Sequence, residues 1–241
     1  MIEINDLGIN LNKRELITII GAGGKTSIMF DIANKLSKLN KKILITTTTK
    51  IYIPDRKDVY IYIGDIKNIP KVKGQIIVAG YKTIKDNKIK GYTKKEINEI
   101  YLKNIFDYII VEGDGANRKS IKAPRENEPV VPQKTSLLIG VVGIDVYGSK
   151  ICEENVFGLR EFLKITNKKE NELIDKESII NLITNKKGLF KYKANRNILV
   201  LNKVNKANKC IVGEIKKHIE ERDSEFVNNV IEIEELQWYQ E

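Results

Sequence analysis

Seven residues near the N-terminus, Gly21-Ala22-Gly23-Gly24-Lys25-Thr26-Ser27, carry the clearest chemistry in the chain. An apolar run, Leu16 to Ile20, precedes them, and a stretch from about Lys25 to Leu39 follows, with Ile28, Ile32, Leu36 and Leu39 on one helical face. A strand, a glycine-rich turn and a helix start together make an anion site. Glycines let backbone amides approach the anion, and the helix N-terminus adds its positive dipole end. Lys25 can bridge terminal phosphates, and the Thr26 hydroxyl can reach a Mg2+ ion. Gly21, Ala22, Gly23, Gly24, Lys25, Thr26 and Ser27 are therefore expected to hold the phosphates of ATP or GTP.

The loop departs from the usual G-x-x-x-x-G-K-[ST], because Ile19 occupies the first glycine position. Its spacing resembles the short G-x-x-G-K-T loop of Mur-type ligases. A second apolar run, Tyr108-Ile109-Ile110-Val111, ends in Glu112-Gly113-Asp114-Gly115. Strand ends line the ligand crevice of a parallel sheet, so Glu112 and Asp114 are expected at the metal. With Lys25 they form the expected catalytic set. The expected Mg2+ ligands are Thr26, Glu112, Asp114 and Thr47, the last from the run Thr46-Thr47-Thr48-Thr49 that follows Ile43-Leu44-Ile45. A Thr run also simply prolongs a strand.

Further charges lie near these turns. Arg118, Lys119, Lys122 and Arg125 put four bases into eight residues after the acidic turn, on a loop stiffened by Pro124, Pro129 and Pro132. They suit an anionic substrate or the transition-state charge of phosphoryl transfer, and equally a solvated basic loop. Lys50 and Asp145 are weaker candidates. Asn202-Lys203 follows the apolar run Leu199-Val200-Leu201, where an N-K-x-D tetrad would read guanine. Asn205 stands in place of its Asp, and an amide cannot accept both donors of the guanine edge. Asn202 and Lys203 are expected to frame a base without selecting guanine.

The elements that must position these residues alternate between short β-rich runs and helical patterns. That alternation predicts an α/β fold, a mostly parallel sheet flanked by helices in the P-loop NTPase-like three-layer arrangement. Strands are expected at Leu16–Ile20, Ile43–Ile45, Val59–Ile63, Tyr108–Val111, Leu137–Val142 and Asn197–Leu201. Gln75–Tyr81 and Lys88–Tyr92 flank Lys85-Asp86-Asn87 and predict a hairpin excursion over about 75–92. Thr93 with Glu96 forms a capping box for a helix that turns Ile97, Ile100 and Tyr101 inward. Later helices are expected at about 155–164, 175–183 and 206–221. No repeat or linker divides residues 1–241, so one domain is expected.

Composition narrows the chemistry. The chain of 241 residues has one histidine, His218, and two cysteines, Cys152 and Cys210, too few for a four-ligand Cys/His zinc site. His218 is expected on the exposed face of the last helix, away from any nucleophilic centre. The formal charge is +10, yet residues 214–241 hold nine acids against three bases, leaving +16 scattered along the rest. Scattered charge argues against specific nucleic-acid binding and for small anionic ligands. The acidic start Met1-Ile2-Glu3 does not suit a signal peptide, and the run from Leu137 to Val146 is too short to span a bilayer. A cytoplasmic protein without a membrane partner is expected.

Five blocks, IIGAGGKTS, ITTTTKIY, VEGDGANRKSIKAPRENEPVVP, LLIGVVGIDVYG and LVLNKVN, resemble the YqeC family over about residues 17–205. Members of that family are described as accessory proteins of selenium-dependent molybdenum hydroxylases. The resemblance implies a P-loop NTPase-like fold, and a partner in a molybdenum hydroxylase or its cofactor-maturation machinery. Residue by residue, it matches Gly21, Gly23, Gly24, Lys25 and Thr26 to the nucleotide loop and Glu112, Asp114 and Gly115 to the acidic turn. Three activities follow as expectations: a Mg2+-nucleotide-dependent maturation factor, a small-molecule ATP-dependent ligase or kinase, or a non-hydrolysing interaction protein.

Overall fold

The computed structural model describes residues 3–70 and 74–234. Strand β1 (Glu15–Gly21) is buried along its whole length and delivers the chain to the glycine loop, from which α1 (Lys25–Lys38) departs. Next come β2 (Ile43–Thr47), β3 (Lys50–Tyr52), β4 (Val59–Ile63), β5 (Ile76–Gly80), β6 (Lys82–Ile84) and β7 (Lys88–Lys90). Helix α2 (Lys94–Leu102) leads to β8 (Tyr108–Glu112), which ends at the acidic turn. The two-residue β9 (Ile121–Lys122) precedes β10 (Leu137–Gly143), and β11 (Val156–Phe157) precedes α3 (Leu159–Thr166) and α4 (Lys176–Thr184). β12 (Arg196–Val204), α5 (Lys209–Arg222) and β13 (Asn229–Glu234) complete the order.

Eight strands form one sheet in the order β13-β12-β10-β1-β8-β2-β5-β4, and every neighbouring pair is parallel. Side-chain alternation sorts its apolar residues onto two faces. Ile17, Ile19, Ile45, Ile110 and Val141 pack with Ile28, Met29, Ile32 and Leu36 of α1. Their strand neighbours point the other way. Leu16, Leu44, Ile109 and Val111 meet Ile97 and Ile100 of α2, while Leu138, Val142, Leu199 and Leu201 meet Phe162, Ile179 and Ile215 of α3, α4 and α5. A parallel sheet covered on both faces explains why these strands read as unbroken apolar runs. The result is the expected three-layer, P-loop NTPase-like α/β arrangement.

The hairpin differs from expectation. The arm expected at Gln75–Tyr81 is instead β5, a fully buried strand lying parallel to β2 and β4 within the main sheet. Ile76, Ile77, Val78 and Ala79 are all buried, which suits a central strand and not a projecting ribbon. The hairpin is β6–β7, turning through Asp86 and Asn87 at φ 61° and 52°, and β3 joins it as a three-stranded antiparallel sheet. Helix α5 starts three residues later than expected and α3 four residues later than its pattern. Edge strand β13 has no counterpart among the expected strands; its apolar residues, Val230, Ile231 and Ile233, are interleaved with acids. Thr93 caps α2 as expected, its hydroxyl accepting from Glu96 N while Glu96 Oε2 accepts from Thr93 N at 2.8 Å. Among the described residues no helix is long and apolar enough to cross a membrane.

Register brings the chemistry to one edge. Ile19 pairs with Glu112, Gly21 with Val141 and Gly143 with Asn202, so the carboxyl ends of β1, β8, β10 and β12 lie side by side. This edge is where an open parallel sheet binds ligands.

Candidate functional site

The glycine loop is held down on the sheet edge. Ala22 N donates to the Val141 carbonyl at 2.9 Å, Gly23 N to the Lys119 carbonyl at 3.1 Å, and Gly21 N to Asp114 Oδ2 at 3.2 Å. Packing dictates the glycines: a Cβ on Gly23 would lie 2.3 Å from Gly143 N, and one on Gly24 would lie 2.3 Å from Asn202 Nδ2. Both glycines also sit at positive φ, 88° and 115°. The amides of Gly21, Ala22 and Gly23 are thus already committed to the protein. Donors available to an anion begin at Gly24, Lys25 and Thr26, whose N–H groups lack intrahelical acceptors. No side chain caps this end of α1, and its first turn contains no acid. Such an end can accept an anion.

Lys25 is buried and lies back on its own loop, donating to the Gly21 carbonyl at 2.6 Å and pairing with Asp114 Oδ1 at 3.2 Å. Asp114 is 1% exposed and also faces Lys122, whose Nζ is 3.2 Å from Oδ2. Lys122 continues to Glu128 Oε2 at 2.9 Å and to the Gly115 carbonyl at 2.6 Å. A chain of alternating charges, Lys25, Asp114, Lys122 and Glu128, therefore runs beneath the loop. Asp114 Oδ1 has the Lys25 ion pair but makes no hydrogen bond.

Glu112 lines the cleft, its Oε2 lying 3.4 Å from the Thr26 hydroxyl, which donates to it. Burial pushes the Glu112 carboxyl up, and the charge of Asp114 adds to this; Lys25, Thr26 and Lys122 oppose it without reversing it. A buried carboxylate in that condition favours a cation. Among the described residues no group of three or more His, Cys, Asp or Glu side chains could hold a metal ion. The pair Thr26 and Glu112 fits Mg2+, which keeps waters and takes phosphate oxygens to complete its octahedron.

The structure divides the other expected site residues. Thr47 does not reach the cleft; its hydroxyl donates to the Glu112 carbonyl at 2.9 Å and so fixes the end of β8. Thr46 and Thr48 likewise donate to the Ala79 and Val130 carbonyls, at 2.9 and 3.0 Å. Asp114 lies under the loop and not beside Glu112 in the cleft. Arg118 and Lys119 line the cleft with Ser27, whereas Lys122 is internal and Arg125 stacks over Phe157 at 4.9 Å. Asn202 is 2% exposed and donates to the Gly23 carbonyl at 2.7 Å, which clamps the loop from below. Lys203 lines the cleft, with Nζ 3.0 Å from both Ser120 Oγ and Asp145 Oδ2. Asn205 accepts from Ala207 N at 2.9 Å, in the turn that precedes α5. His218 stays on α5, 3.4 Å from Asp223, and both cysteines are free.

The cleft encloses about 670 Å3. Besides the expected residues, Lys50 among them, it is lined by Tyr52, Lys88 and Phe157. Tyr52, Lys88 and Phe157 carry no signature of their own in the sequence. Only the docking of the β3–β7 sheet and of β11 brings them opposite the loop.

Comparison with known proteins agrees with the motif blocks. The family model described as YqeC protein matches residues 17–160, which include the glycine loop, the acidic turn and the bases that follow it. The chain is also 28% identical over 228 residues to "Uncharacterized protein YqeC" of Escherichia coli (strain K12), covering 92% of this chain and 89% of that protein. The loop, the acids beside it and the strands that carry them thus lie in a shared framework, and the chain belongs to the YqeC family.

Proposed function

We propose that this protein binds a Mg2+-nucleotide at residues 23–27 and serves as an accessory factor in maturing a selenium-dependent molybdenum hydroxylase. One observation carries the nucleotide proposal: an uncapped helix start, Lys25 and a Thr26–Glu112 pair 3.4 Å apart all meet in one cleft. The amides of Gly24, Lys25 and Thr26 would receive phosphate oxygens. Lys25 would exchange Asp114 for phosphate, one anion for another, while Asp114 keeps Lys122 and the Gly21 N–H. Thr26 and Glu112 would hold Mg2+, which when bound neutralises charge on the phosphoryl oxygens. The hydroxylase role comes from the family resemblance, and the cleft chemistry is compatible with it.

Neither Asn202, buried against Gly23, nor Asn205, tied into its turn, is presented to a base. ATP and GTP are therefore expected to bind with similar affinity. Calorimetric titration of the full chain with each nucleotide and Mg2+ tests the proposal. Binding that disappears in Lys25→Ala supports it; no binding, or binding unchanged in Lys25→Ala, overturns it. Glu112→Gln is expected to lower Mg2+-dependent turnover by roughly a hundredfold, as loss of one electrostatic contact to the reacting charge does. Unchanged turnover would remove Glu112 from the metal site.

A second reading, a small-molecule ligase or kinase using the same loop, is favoured by Lys50, Lys88, Arg118 and Lys119, which also line the cleft. A small acid that alone accelerates turnover would distinguish it from a switch.

A further inference from the structure

The cleft has two walls of different chemistry. Lys25, Lys50, Lys88, Arg118, Lys119 and Lys203 line it, against one acid, Glu112. Lys25 is paired with Asp114 and Lys203 with Asp145. Lys119 donates to the Glu154 carbonyl. The closest carboxylate to Lys88 is Asp86, at 3.9 Å and largely exposed, and Lys50 and Arg118 have no carboxylate partner among the described residues. The groups assigned to the nucleotide are the loop amides, Lys25, Thr26 and Glu112, so Lys50, Lys88 and Arg118 on the far wall are left without an assigned anion.

We infer that the far wall is a second anion subsite, formed by Lys50, Lys88 and Arg118 around Tyr52, which takes a small molecule bearing a phosphate ester. The inference deepens the nucleotide proposal by naming the class of the second ligand. Three features build the subsite. First, strand pairing places Tyr52 directly opposite Lys88 in the antiparallel β3–β7 pair, and Lys50 lies two residues from Tyr52 on the same face. Second, Tyr52 gathers two cations: Lys88 Nζ lies 4.6 Å and the Arg118 guanidinium 5.2 Å from its ring centroid. An aromatic face and a guanidinium fork suit an organic phosphate better than a bare ion. Third, Asn117 and Arg118 are consecutive non-glycine residues at positive φ, 46° and 60°. Such a pair is strained and must be held. The Lys119 backbone holds it, its N–H donating to the Ala116 carbonyl at 2.9 Å and its carbonyl accepting from Gly23 N at 3.1 Å. The strained turn that presents Arg118 is thereby tied to the phosphate loop facing it.

Phenyl phosphate, an aromatic phosphate monoester, is the probe, titrated calorimetrically into the full chain. Lys25→Ala is expected to keep phenyl phosphate affinity within about twofold of wild type while losing nucleotide. The double variant Lys88→Ala/Arg118→Ala is expected to lose about tenfold or more in phenyl phosphate affinity, as removal of charge-assisted contacts does, and to keep its nucleotide affinity. Lys95→Ala, an exposed lysine of α2, controls for general charge. Three results would overturn the subsite: no saturable binding, loss in Lys25→Ala without loss in the double variant, or equal loss in Lys95→Ala. If wild type binds no nucleotide yet the double variant still loses phenyl phosphate, the subsite stands and the nucleotide proposal falls.

Discussion

Lys122 has no exposed side-chain surface, and its ammonium touches Asp114, Glu128 and the Gly115 carbonyl. Burying an ammonium is costly, and its partners offset that cost only while all remain in place. Removing the cation would leave Asp114 and Glu128 without the ammonium that lies between them. Lys122→Met is therefore expected to lower the unfolding free energy by about 3–5 kcal/mol in urea denaturation. Asp114→Asn in the same chain should return about 0.5–3 kcal/mol, because the two sites are coupled. A loss below about 1 kcal/mol, or strict additivity, would show that the charge chain is not what holds the turn. By type and spacing Lys122 resembles a substrate base like Arg118, and Asp114 a metal ligand like Glu112. Their actual positions follow from the turn after β8, which carries Asp114 beneath the loop to accept from Gly21 N–H. Alternation along a strand predicts facing only as far as the strand continues.

Among the elements, α4 shows how local sequence sets a boundary. Asp175 caps it, accepting from Ser178 N at 2.8 Å. Burial pushes the Asp175 carboxyl up, but hydrogen bonds from Lys168 and Ser178 outweigh this and hold it below the usual carboxylate range. A lowered folded pKa means stabilisation that is present above the unfolded value and lost as pH falls through the lowered one. Asp175→Ala is expected to cost about 1 kcal/mol at neutral pH. Its deficit relative to wild type should shrink below about pH 4. Parallel acid-denaturation curves with a constant gap would mean the cap contributes through packing alone. Caps of this kind are legible because donor and acceptor lie three residues apart, as with Thr93 and Glu96. The hairpin is less legible. The sequence marks its turn at Lys85-Asp86-Asn87 but not its first arm, because a short apolar run such as β5 looks alike in a ribbon and in a central strand. Only its pairing with β2 and β4 distinguishes the two.

For the molecule as a whole, the proposed role as a maturation factor requires that nucleotide binding be coupled to the partner. Nucleotide is therefore expected to change the affinity for a molybdenum hydroxylase by about 5–150-fold, the usual span of coupled sites, measured by binding with and without Mg2+-ATP. Equal affinities would exclude a switch. The sequence by itself determined the α/β class, the glycine-rich loop between strand and helix, and the acidic strand end, because each depends on residue type or on neighbours a few positions apart. Tertiary structure decided which charges are already paired and which face the cleft. Lys25 is matched to Asp114 and Lys203 to Asp145, while Lys88 and Arg118 meet at Tyr52, pairs separated by 58 residues or more except for Lys88 and Tyr52. Coulomb and cation–π attractions depend on distance in space, and only the packed sheet fixes that distance.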